Sequence, residues 1–487
     1  MIPLAVSEVA AVLGATSIGD GDPAVRLAAV TADSRQVGAG TLFVALPGER
    51  VDGHDYVGRA FAQGASAALV AHPVEAAAAG LQLVVPDPLA AFGRLARHVV
   101  DRRHADGLRV VGVTGSTGKT STKDLLAAVL GAAGPTVAPA GNLNNELGVP
   151  LTVCRVDPGT RFLVAEMGAR GTGHIRYLCS IAPPDVGVVL NVGQAHVGEF
   201  GGREAIAEAK GELVEALPAT GTAVLNADDP LVWGMRTRTR ARVLPFALGA
   251  DPGGDEAVWA ADPVGDERGR YAFVLHARTG RLYQAEPVRL RGTGRHQVAN
   301  ATAAAAAGLA LGLDLTAVAA ALGTAERASR WRMEIADRAD GVTVINDAYN
   351  ASPDSMRSAV ETLVEIARRR PGRSWAVLGD MLEMGGEAPA AHVELGRQVA
   401  AAGVDELVVL GAYAPLLVSA AAGVPARVAA TKEEALGWLR AEVSAGDVVL
   451  VKASRGLALE TVAEDLLTVP VPAPDRAADP HPSRRKD

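Results

Sequence analysis

Short, uninterrupted apolar runs rich in valine and leucine recur along the chain, separated by stretches rich in alanine, leucine and glutamate. Polar and apolar residues alternate only weakly within these runs. Such runs are typical of strands buried on both faces of a parallel sheet, with right-handed βαβ connections between them. The sequence therefore predicts an α/β fold whose clearest strands lie at 109–113, 161–166, 185–191, 222–226, 342–347, 375–380, 406–411 and 447–454.

Most of these runs end in a polar residue. Ligands of open α/β sheets bind at the carboxyl ends of the strands. Functional side chains are therefore expected among Thr114, Glu166, Asn191, Asn226, Asp347, Asp380 and Ser454.

The length of 487 residues suggests roughly three domains. Residues 1–107 carry the runs TLFVAL, AALVA and LQLVV, then a basic, polar joint. Residues 108–325 carry the first long α/β series, with a β meander predicted at 250–295 and an alanine-rich helix at the end. Residues 326–470 carry the second series, and the proline-rich, charged tail 471–487 is predicted to be disordered.

The composition excludes several classes of protein. The net charge of −8 argues against nucleic acid as the main partner, because proteins that bind nucleic acid are usually basic. Two cysteines, Cys154 and Cys179, exclude a disulfide framework or a cysteine-rich zinc site and are interpreted as small buried residues. We find no signal peptide and no apolar stretch of membrane-spanning length, so we expect a cytoplasmic protein without membrane insertion.

The sharpest motif is VVGVTGSTGKTST at 110–122, where an apolar strand leads into a glycine-rich turn and then a helical stretch. This context is typical of a phosphate-binding loop, although the motif is GxTGxxGKT rather than the usual GxxxxGK[ST]. Lys119 is expected to reach the β- and γ-phosphates, and the Thr120 hydroxyl to reach Mg²⁺. The chain has no NKxD-type base-reading motif, so ATP is favoured over GTP. The alternative is a glycine-rich turn that binds no nucleotide.

Three further residues are candidates for the same site. Glu166 ends the strand next to the phosphate loop and could hold Mg²⁺, or could be an ordinary surface glutamate. His196 lies on a glycine-rich loop after a strand, where it could ligate a metal or bond a substrate oxygen. Lys210 lies in a highly charged helical stretch, and by itself would be interpreted as a solvated lysine.

Together these motifs resemble the Mur ligase family of ATP-dependent amide ligases. The shared marks are the GxTGxxGKT loop, the strand end at Glu166, NVGxAHxGxF around His196, AKGEL around Lys210 and GxGxHxxxNxxAA at 292–304. The resemblance covers essentially the whole chain before the tail. Three dense stretches, at 141–152, 165–170 and 345–356, are most similar to the members that add D-alanyl-D-alanine.

The resemblance implies three domains: a smaller N-terminal α/β domain for the UDP-sugar, a central P-loop ATPase-like domain with a parallel sheet, and a C-terminal Rossmann-like domain. It also implies a reaction. ATP phosphorylates the terminal carboxylate of UDP-MurNAc-tripeptide, and D-Ala-D-Ala attacks the acyl phosphate to give UDP-MurNAc-pentapeptide for peptidoglycan synthesis. A monomer is expected, with ATP and Mg²⁺ as cofactors.

The resemblance also implies roles for individual residues. Glu166 would bind one Mg²⁺, His196 would help to bind a second, and Lys210 would be carbamylated by CO₂. In the C-terminal segment, Arg332 would lie near the γ-phosphate, with Arg330 as a rival. The residues implied in ATP binding are Thr114, Gly115, Ser116, Thr117, Gly118, Lys119, Thr120, Ser121, Asn300 near the adenine, Arg332, and Asp347 at the ribose.

Substrate-binding residues are implied in the same way, in three groups. Ser34 and Arg35 would contact the uridine end. The sugar–peptide part would face Asn142, Asn144, Asn145 and Glu146, and the dipeptide pocket would include Tyr349, Asn350, Ser352 and Pro353, with Ser454 and Arg455 nearby.

Two departures from the family pattern stand out. Gln297 replaces the usual asparagine after His296, so its role stays open, and Ala453 replaces a glycine before Ser454. The alternatives are another Mur-type ligase that adds a different amino acid, and a P-loop ATPase that acts as a switch. We find no DNPR-type motif, which an enzyme that adds a free amino acid should carry. The sequence does not distinguish meso-diaminopimelate from lysine as the third residue of the tripeptide.

Overall fold

The structure, a computed structural model, describes residues 1–48, 51–77, 80–193, 202–326 and 328–468. Strands and helices alternate through these residues, so the predicted α/β class is confirmed. None of the described helices is long and apolar enough to cross a membrane. The helices are α1 Val6–Leu13, α2 Val57–Ala62, α3 Pro88–Ala105, α4 Lys119–Ala133, α5 Gly148–Val153, α6 His174–Ile181, α7 Arg203–Glu215, α8 Pro230–Gly234, α9 His296–Ala310, α10 Leu315–Thr324, α11 Pro353–Ala367, α12 Ala388–Ala402, α13 Ala414–Ala420, α14 Lys432–Glu442 and α15 Glu460–Leu467.

The N-terminal strands form two small sheets. These strands are β1 Leu4–Ala5, β2 Thr16–Ile18, β3 Arg26–Leu27, β4 Ala29–Thr31, β5 Thr41–Val44, β6 Ala67–Val70 and β7 Gln82–Val84. Strands β1 and β3 pair with each other, and the other five have the order β2-β7-β6-β5-β4, parallel except for β2. The runs TLFVAL, AALVA and LQLVV are therefore strands, as predicted.

The middle of the chain builds a nine-stranded sheet in the order β16-β15-β14-β13-β12-β11-β8-β10-β9. Its strands are β8 Arg109–Thr114, β9 Thr136–Val137, β10 Phe162–Glu166, β11 Val186–Val189, β12 Thr222–Asn226, β13 Arg242–Leu248, β14 Glu256–Gly265, β15 Arg270–Thr279 and β16 Leu282–Thr293. The sheet is parallel from β9 to β14, and β14, β15 and β16 form the predicted meander. The meander is not separate: β14 pairs in parallel with β13, so the sheet continues into it.

The C-terminal strands form a six-stranded sheet in the order β17-β18-β22-β19-β20-β21. They are β17 Glu334–Asp337, β18 Thr343–Asn346, β19 Ser374–Gly379, β20 Glu406–Leu410, β21 Ala426–Val428 and β22 Val448–Lys452. All neighbours are parallel except β17 and β18. The last strand returns between β18 and β19, and this reversal of strand order makes a crevice at their carboxyl ends, the usual ligand site of such folds.

Both larger sheets are buried on both faces, which explains why their strands are apolar throughout. On β8, Val110 packs in one apolar cluster and Val111 in the opposite one. The cluster of Val110 also includes side chains of the N-terminal sheet and of α3. Cys154 and Cys179 are buried, as expected, and burial raises the pKa of each thiol to about 12. The predicted domain boundaries stay predictions, and the tail 471–487 lies outside the described residues.

Candidate active site

The phosphate loop connects β8 to α4 and depends on a glycine at its end. Gly118 has a φ of 83°, a left-handed conformation that favours glycine. A Cβ atom at this position would lie only 2.5 Å from Oδ1 of Asn300 on α9. The glycine thus lets the loop approach α9 while it turns into the helix. The N–H groups at the start of α4 face the loop and can bind an anion.

Asn191, at the end of the neighbouring strand, holds the loop in shape. Its side-chain oxygen accepts a 2.9 Å hydrogen bond from the Thr117 amide, and its side-chain nitrogen donates to the Thr117 carbonyl at 3.2 Å. Its backbone carbonyl accepts from the Ser116 amide at 3.1 Å. Asn191 is predicted from the sequence only as a strand-end residue without a role, and in the structure its contacts support the loop.

Lys119 is the first residue of α4, and its ammonium group lies beside the loop. Nζ donates to the carbonyls of Gly115 at 2.7 Å and Ser116 at 3.3 Å. The pKa of Lys119 is lowered overall, mainly because the side chain is buried. The negative charges of Glu166 and Glu383 raise this pKa, and the positive charge of Arg332 lowers it. The lysine therefore lies within electrostatic range of charged groups from both larger sheets.

Glu166 ends β10 and is 1% exposed. Its Oε1 accepts hydrogen bonds from the Thr120 hydroxyl at 3.2 Å and from Nδ2 of Asn144 at 2.8 Å. Its Oε2 is buried and has no hydrogen-bond partner in the part of the chain that the structure describes. An unpartnered buried carboxylate oxygen is costly. Carboxylate and hydroxyl oxygens are ligands that Mg²⁺ takes, so this pair of residues fits a Mg²⁺ ion beside bound phosphates.

Lys210 is buried on α7, at 5% exposure. Burial, and then the charge of Lys119, lower the pKa of Lys210 well below its ordinary value, so the neutral amine is favoured. Two residues along, Glu212 accepts hydrogen bonds from the backbone amides of Gly173 and Arg176 at the start of α6. This contact fixes α7 against α6. His196, the other predicted metal ligand, lies outside the described residues.

Arg332 comes to the site from the C-terminal segment. Its guanidinium carbon lies 4.2 Å from the centre of the Tyr349 ring, and both residues line the cavity described below. Its rival, Arg330, has a side chain 71% exposed and pairs with Glu464 at 3.3 Å. Of the two arginines, the geometry favours Arg332 as the one that could meet a phosphate.

Asp347, the residue after β18, has both carboxylate oxygens occupied by groups from other parts of the C-terminal segment. Its Oδ1 accepts a 2.9 Å hydrogen bond from the Met333 amide, and its Oδ2 lies 2.6 Å from Nζ of Lys452. Trp331 and Met333, on either side of Arg332, have left-handed φ angles of 56° and 52°. The Asp347 carboxylate thus stabilises an unusual backbone conformation around Arg332.

These groups surround one cavity of about 430 Å³. The cavity lies between the phosphate loop and the carboxyl edge of the C-terminal sheet. The predicted site residues that line it are Ser116, Thr117, Gly118, Lys119, Thr120, Ser121, Asn142, Asn144, Asn145, Glu166, Lys210, Asn300, Arg332, Asp347, Tyr349, Asn350, Ser352 and Arg455.

Five other predicted residues adjoin the cavity without lining it: Thr114, Gly115, Glu146, Pro353 and Ser454. The Thr114 hydroxyl donates to the Met167 carbonyl at 2.8 Å, and Ser454 Oγ accepts from the Leu382 amide at 2.9 Å. Glu146 lies 3.1 Å from Nε2 of His174. Through these contacts, Thr114, Ser454 and Glu146 support the residues that form the cavity wall.

Ser34 and Arg35 do not line this cavity. They lie in a short 3₁₀ turn, Ser34–Gln36, of the N-terminal segment. The Arg35 side chain is 78% exposed and pairs with Asp33 at 2.9 Å. This hydrogen-bonded pairing lowers the pKa of Asp33 to about 2.

Several residues that line the cavity have no role predicted from the sequence. Gln297 is one, and its Oε1 accepts a 3.2 Å hydrogen bond from Nδ2 of Asn300, which fixes the Asn300 amide. Lys452 could have been noticed as a single cation at the end of an apolar strand. Arg170 ends the stretch 165–170 that carries the family resemblance, whereas nothing in the sequence pattern singles out two other lining residues, His174 and Glu383.

Three family models match the chain. The Mur ligase middle domain matches residues 113–308, the glutamate ligase domain of Mur ligases matches 331–455, and the Mur ligase family catalytic domain matches 26–100.

Among curated proteins, the UDP-N-acetylmuramoyl-tripeptide–D-alanyl-D-alanine ligase of Mycobacterium tuberculosis is 45% identical, over 96% of this chain and 98% of that protein. The crystal structure of MurF from Acinetobacter baumannii is 32% identical, with a TM-score of 0.85 over 96% of this chain and 99% of that one. MurF ligase from Thermotoga maritima in complex with ADP is 30% identical, with a TM-score of 0.76 over 90% and 96%.

Proposed function

This chain belongs to the Mur ligase family, and we propose on that basis that it joins D-alanyl-D-alanine to UDP-MurNAc-tripeptide at the expense of ATP. The tripeptide carboxylate is phosphorylated, the dipeptide amine attacks the acyl phosphate, and UDP-MurNAc-pentapeptide, ADP and phosphate are released. The product serves peptidoglycan synthesis. The observation that carries the proposal is that Lys119, Glu166, Arg332 and Tyr349 all line the same cavity.

A carboxylate is a poor acylating agent at neutral pH, so the site must first give it a leaving group. Positioning and charge neutralisation are then the main tasks of the protein. The loop amides, Lys119 and Arg332 are suited to hold the phosphates of ATP, and Asn300 and Asp347 to hold the nucleoside. Mg²⁺, held by Thr120 and Glu166, would supply further positive charge beside the phosphates. His196 stays a predicted ligand of a second Mg²⁺.

Lys210 is proposed to be carbamylated. A neutral amine attacks CO₂, a nitrogen–carbon bond forms, and a proton is released, which leaves a negatively charged carbamate. The buried position and lowered pKa of Lys210 support this reaction, because they favour the neutral amine. A carbamate would also remove a positive charge from the neighbourhood of Lys119 and the proposed metal.

The substrate assignments follow the three segments of the chain. We propose that Asn142, Asn144 and Asn145 face the sugar–peptide part of the nucleotide substrate, with Glu146 behind them. The dipeptide is assigned to the wall formed by Tyr349, Asn350, Ser352, Pro353, Ser454 and Arg455. The uridine end is assigned to Ser34 and Arg35. A monomer and a cytoplasmic location also stay proposals.

The test is phosphate release with defined UDP-MurNAc-tripeptides, with and without D-Ala-D-Ala. Separate assays with meso-diaminopimelate and lysine tripeptides would identify the third residue. Lys119→Ala should abolish release, whereas Lys432→Ala, on α14 and away from the cavity, should not change it. ATP turnover that needs neither the nucleotide-linked peptide nor the dipeptide would contradict the proposal.

A further inference from the structure

Helix α4 carries a second buried lysine, which none of the roles above uses. Lys123 lies one turn after Lys119, is 1% exposed and does not line the cavity. Its Nζ lies 2.5 Å from Oδ1 of Asp124 and donates to the Pro139 carbonyl at 3.0 Å and to Oγ of Ser329 at 3.3 Å. An ammonium group has three N–H donors, and these acceptors use all three. The bonds of this lysine therefore go to other segments of the chain rather than to a ligand.

The partners of Lys123 tie α4 to two segments that continue into the active site. Pro139 lies three residues before Asn142, which lines the cavity. Ser329 lies three residues before Arg332, in the connection from α10 to β17. The buried ammonium group is therefore the point where the helix of the phosphate loop meets the connection to the C-terminal sheet.

This connection is attached to α4 by two hydrogen bonds to a single residue. Besides its hydroxyl, Ser329 uses its backbone amide, which donates to Oδ2 of Asp124 at 3.2 Å. Ser329 is 6% exposed and the Asp124 side chain 9% exposed, so water competes little for these bonds. Two bonds to one residue fix its orientation as well as its position.

The residues after Ser329 are held by the C-terminal segment instead. The Trp331 carbonyl accepts a 3.1 Å hydrogen bond from the Tyr349 amide, and Nε1 of Trp331 donates to Oε1 of Glu464 at 3.0 Å. Arg332 thus follows an attachment to α4 on one side and an attachment to the C-terminal segment on the other. Three residues span at most about 11 Å, so a displacement of Ser329 would be passed on to Arg332.

Stability alone does not explain a buried ion pair at this point. Apolar side chains of similar volume often stabilise a fold at least as well. Hydrogen bonds differ from apolar contacts because they hold particular atoms at defined distances and angles. The pair of Lys123 and Asp124 is therefore better explained by the positions that it fixes.

Resting on the proposed function, we propose that Lys123 is a positioning residue that holds Arg332 beside the γ-phosphate of ATP. Its ammonium group and the Asp124 carboxylate fix Ser329 relative to α4, the helix that begins with Lys119. Arg332 then meets the phosphates that Lys119 and the loop amides bind, without a rearrangement of the connection.

Nucleotide binding measures this role without turnover. In calorimetry with Mg²⁺, Lys123→Met should raise the Kd of AMP-PNP, a non-hydrolysable ATP analogue, about 20-fold, and Ser329→Ala, which removes only one acceptor, about fivefold. The Kd of ADP, which lacks the γ-phosphate, should stay within about twofold in both variants. If Lys123→Met does not fold because Asp124 loses its buried partner, Ser329→Ala decides alone.

An Arg332→Ala background tests whether the effect passes through Arg332. Without the guanidinium group, Ser329→Ala should change the Kd of AMP-PNP by less than about twofold, because the two changes act on one interaction. A merely structural role of Ser329 would cost the same factor in both backgrounds. Ser180→Ala is the matched control: this exposed hydroxyl on α6 donates to the Tyr177 carbonyl at 2.6 Å and lies away from the cavity, so its loss should leave the Kd unchanged.

The possible outcomes separate this role from the proposed function. Equal losses for AMP-PNP and ADP, equal losses in the two backgrounds, or an unchanged Kd in Ser329→Ala would overturn the positioning role. The expected binding pattern in an enzyme that releases no phosphate with UDP-MurNAc-tripeptide and D-Ala-D-Ala would contradict the proposed function and support the positioning role. A wild type that does not bind AMP-PNP would refute both.

Discussion

The Thr120 hydroxyl donates a 3.2 Å hydrogen bond to Oε1 of Glu166, which directs the other carboxylate oxygen, Oε2, into a buried position without a hydrogen-bond partner among the described residues. If Mg²⁺ binds there, the charge of Glu166 matters more than its shape. We expect Glu166→Gln to lower kcat at least about 100-fold and to raise the Mg²⁺ concentration needed for half-maximal phosphate release.

Stability is the second measurement for Glu166→Gln. Because the buried carboxylate oxygen that lacks a hydrogen-bond partner, Oε2, becomes part of an uncharged amide, we expect thermal unfolding without Mg²⁺ to occur at the same temperature or higher. Glu326→Gln, at a side chain that is 80% exposed, is the control for general effects of a lost carboxylate. An unchanged dependence of activity on Mg²⁺ would rule out Glu166 as a ligand.

Gly118→Ala should damage nucleotide binding. The new methyl group would lie 2.5 Å from Asn300 Oδ1, and the backbone would keep a φ of 83° that disfavours alanine. We expect the variant to lose about 1–2 kcal/mol of unfolding free energy and to show at least a tenfold higher KM for ATP.

Gly131→Ala on the same helix is the matched control for Gly118→Ala. A Cβ atom at Gly131 meets nothing within 4 Å, and alanine is the better helix former, so this variant should gain about 0.5–1 kcal/mol and keep its KM. Chemical denaturation and steady-state kinetics measure both quantities. Equal effects in the two variants would contradict the loop geometry.

Lys210→Met should separate stability from activity. In the folded protein the pKa of Lys210 is lowered, so at pH values between that lowered pKa and the ordinary lysine pKa the unfolded state binds more protons than the folded state. The free energy of unfolding of unmodified protein therefore rises with pH in that range. In CO₂-free buffer at neutral pH, we expect Lys210→Met to be at least as stable as the wild type while its activity falls at least about 100-fold.

Carbon-13 NMR tests the proposed modification of Lys210 directly. After addition of labelled bicarbonate, the wild type should show a carbamate signal that Lys210→Met lacks, and its activity should rise. A wild-type enzyme that is fully active after complete removal of CO₂, with no such signal, would show that the unmodified lysine is sufficient.

Lys452→Met should remove the ion-pair partner of the Asp347 carboxylate, which lies 105 residues away along the chain. Removal of one partner of a fully buried ion pair costs about 3–5 kcal/mol. The Asp347 side chain is 13% exposed and keeps the Met333 amide as a partner, so the cost here should lie near the lower end of that range. We expect a loss of that order in unfolding free energy, together with a higher KM for ATP if Asp347 binds the ribose. The double variant Lys452→Met with Asp347→Asn should recover part of the stability but not the KM. Full additivity of the two changes would contradict the pairing seen at 2.6 Å.

Local sequence pattern predicted the strands and the edge at which the site would lie. Continuous apolar runs such as 185–191 could be recognised because the sheets are buried on both faces. The same pattern did not predict that β14 would pair with β13 and so extend the parallel sheet. A meander whose strands pair only with each other has a sequence similar to that of a meander whose first strand also pairs with a neighbouring sheet.

Contacts between residues that are far apart along the chain could not be predicted from the local sequence pattern. Asn191 supports Thr117 from 74 residues away, and Lys452 neutralises Asp347 from 105 residues away. Neither pairing leaves a mark in the spacing of nearby residues. The implied roles of Ser34 and Arg35 depended on resemblance alone, and these two residues do not line the cavity.

The conformation of Arg332 has a thermodynamic consequence. An arginine that becomes ordered only when its ligand arrives loses up to about 2 kcal/mol of side-chain entropy in the binding step. Arg332 is stacked on Tyr349 already, and the Asp347 carboxylate fixes the adjoining backbone at Met333. That loss of entropy is therefore incurred when the chain folds, and the affinity of the site for a phosphate is correspondingly less sensitive to temperature.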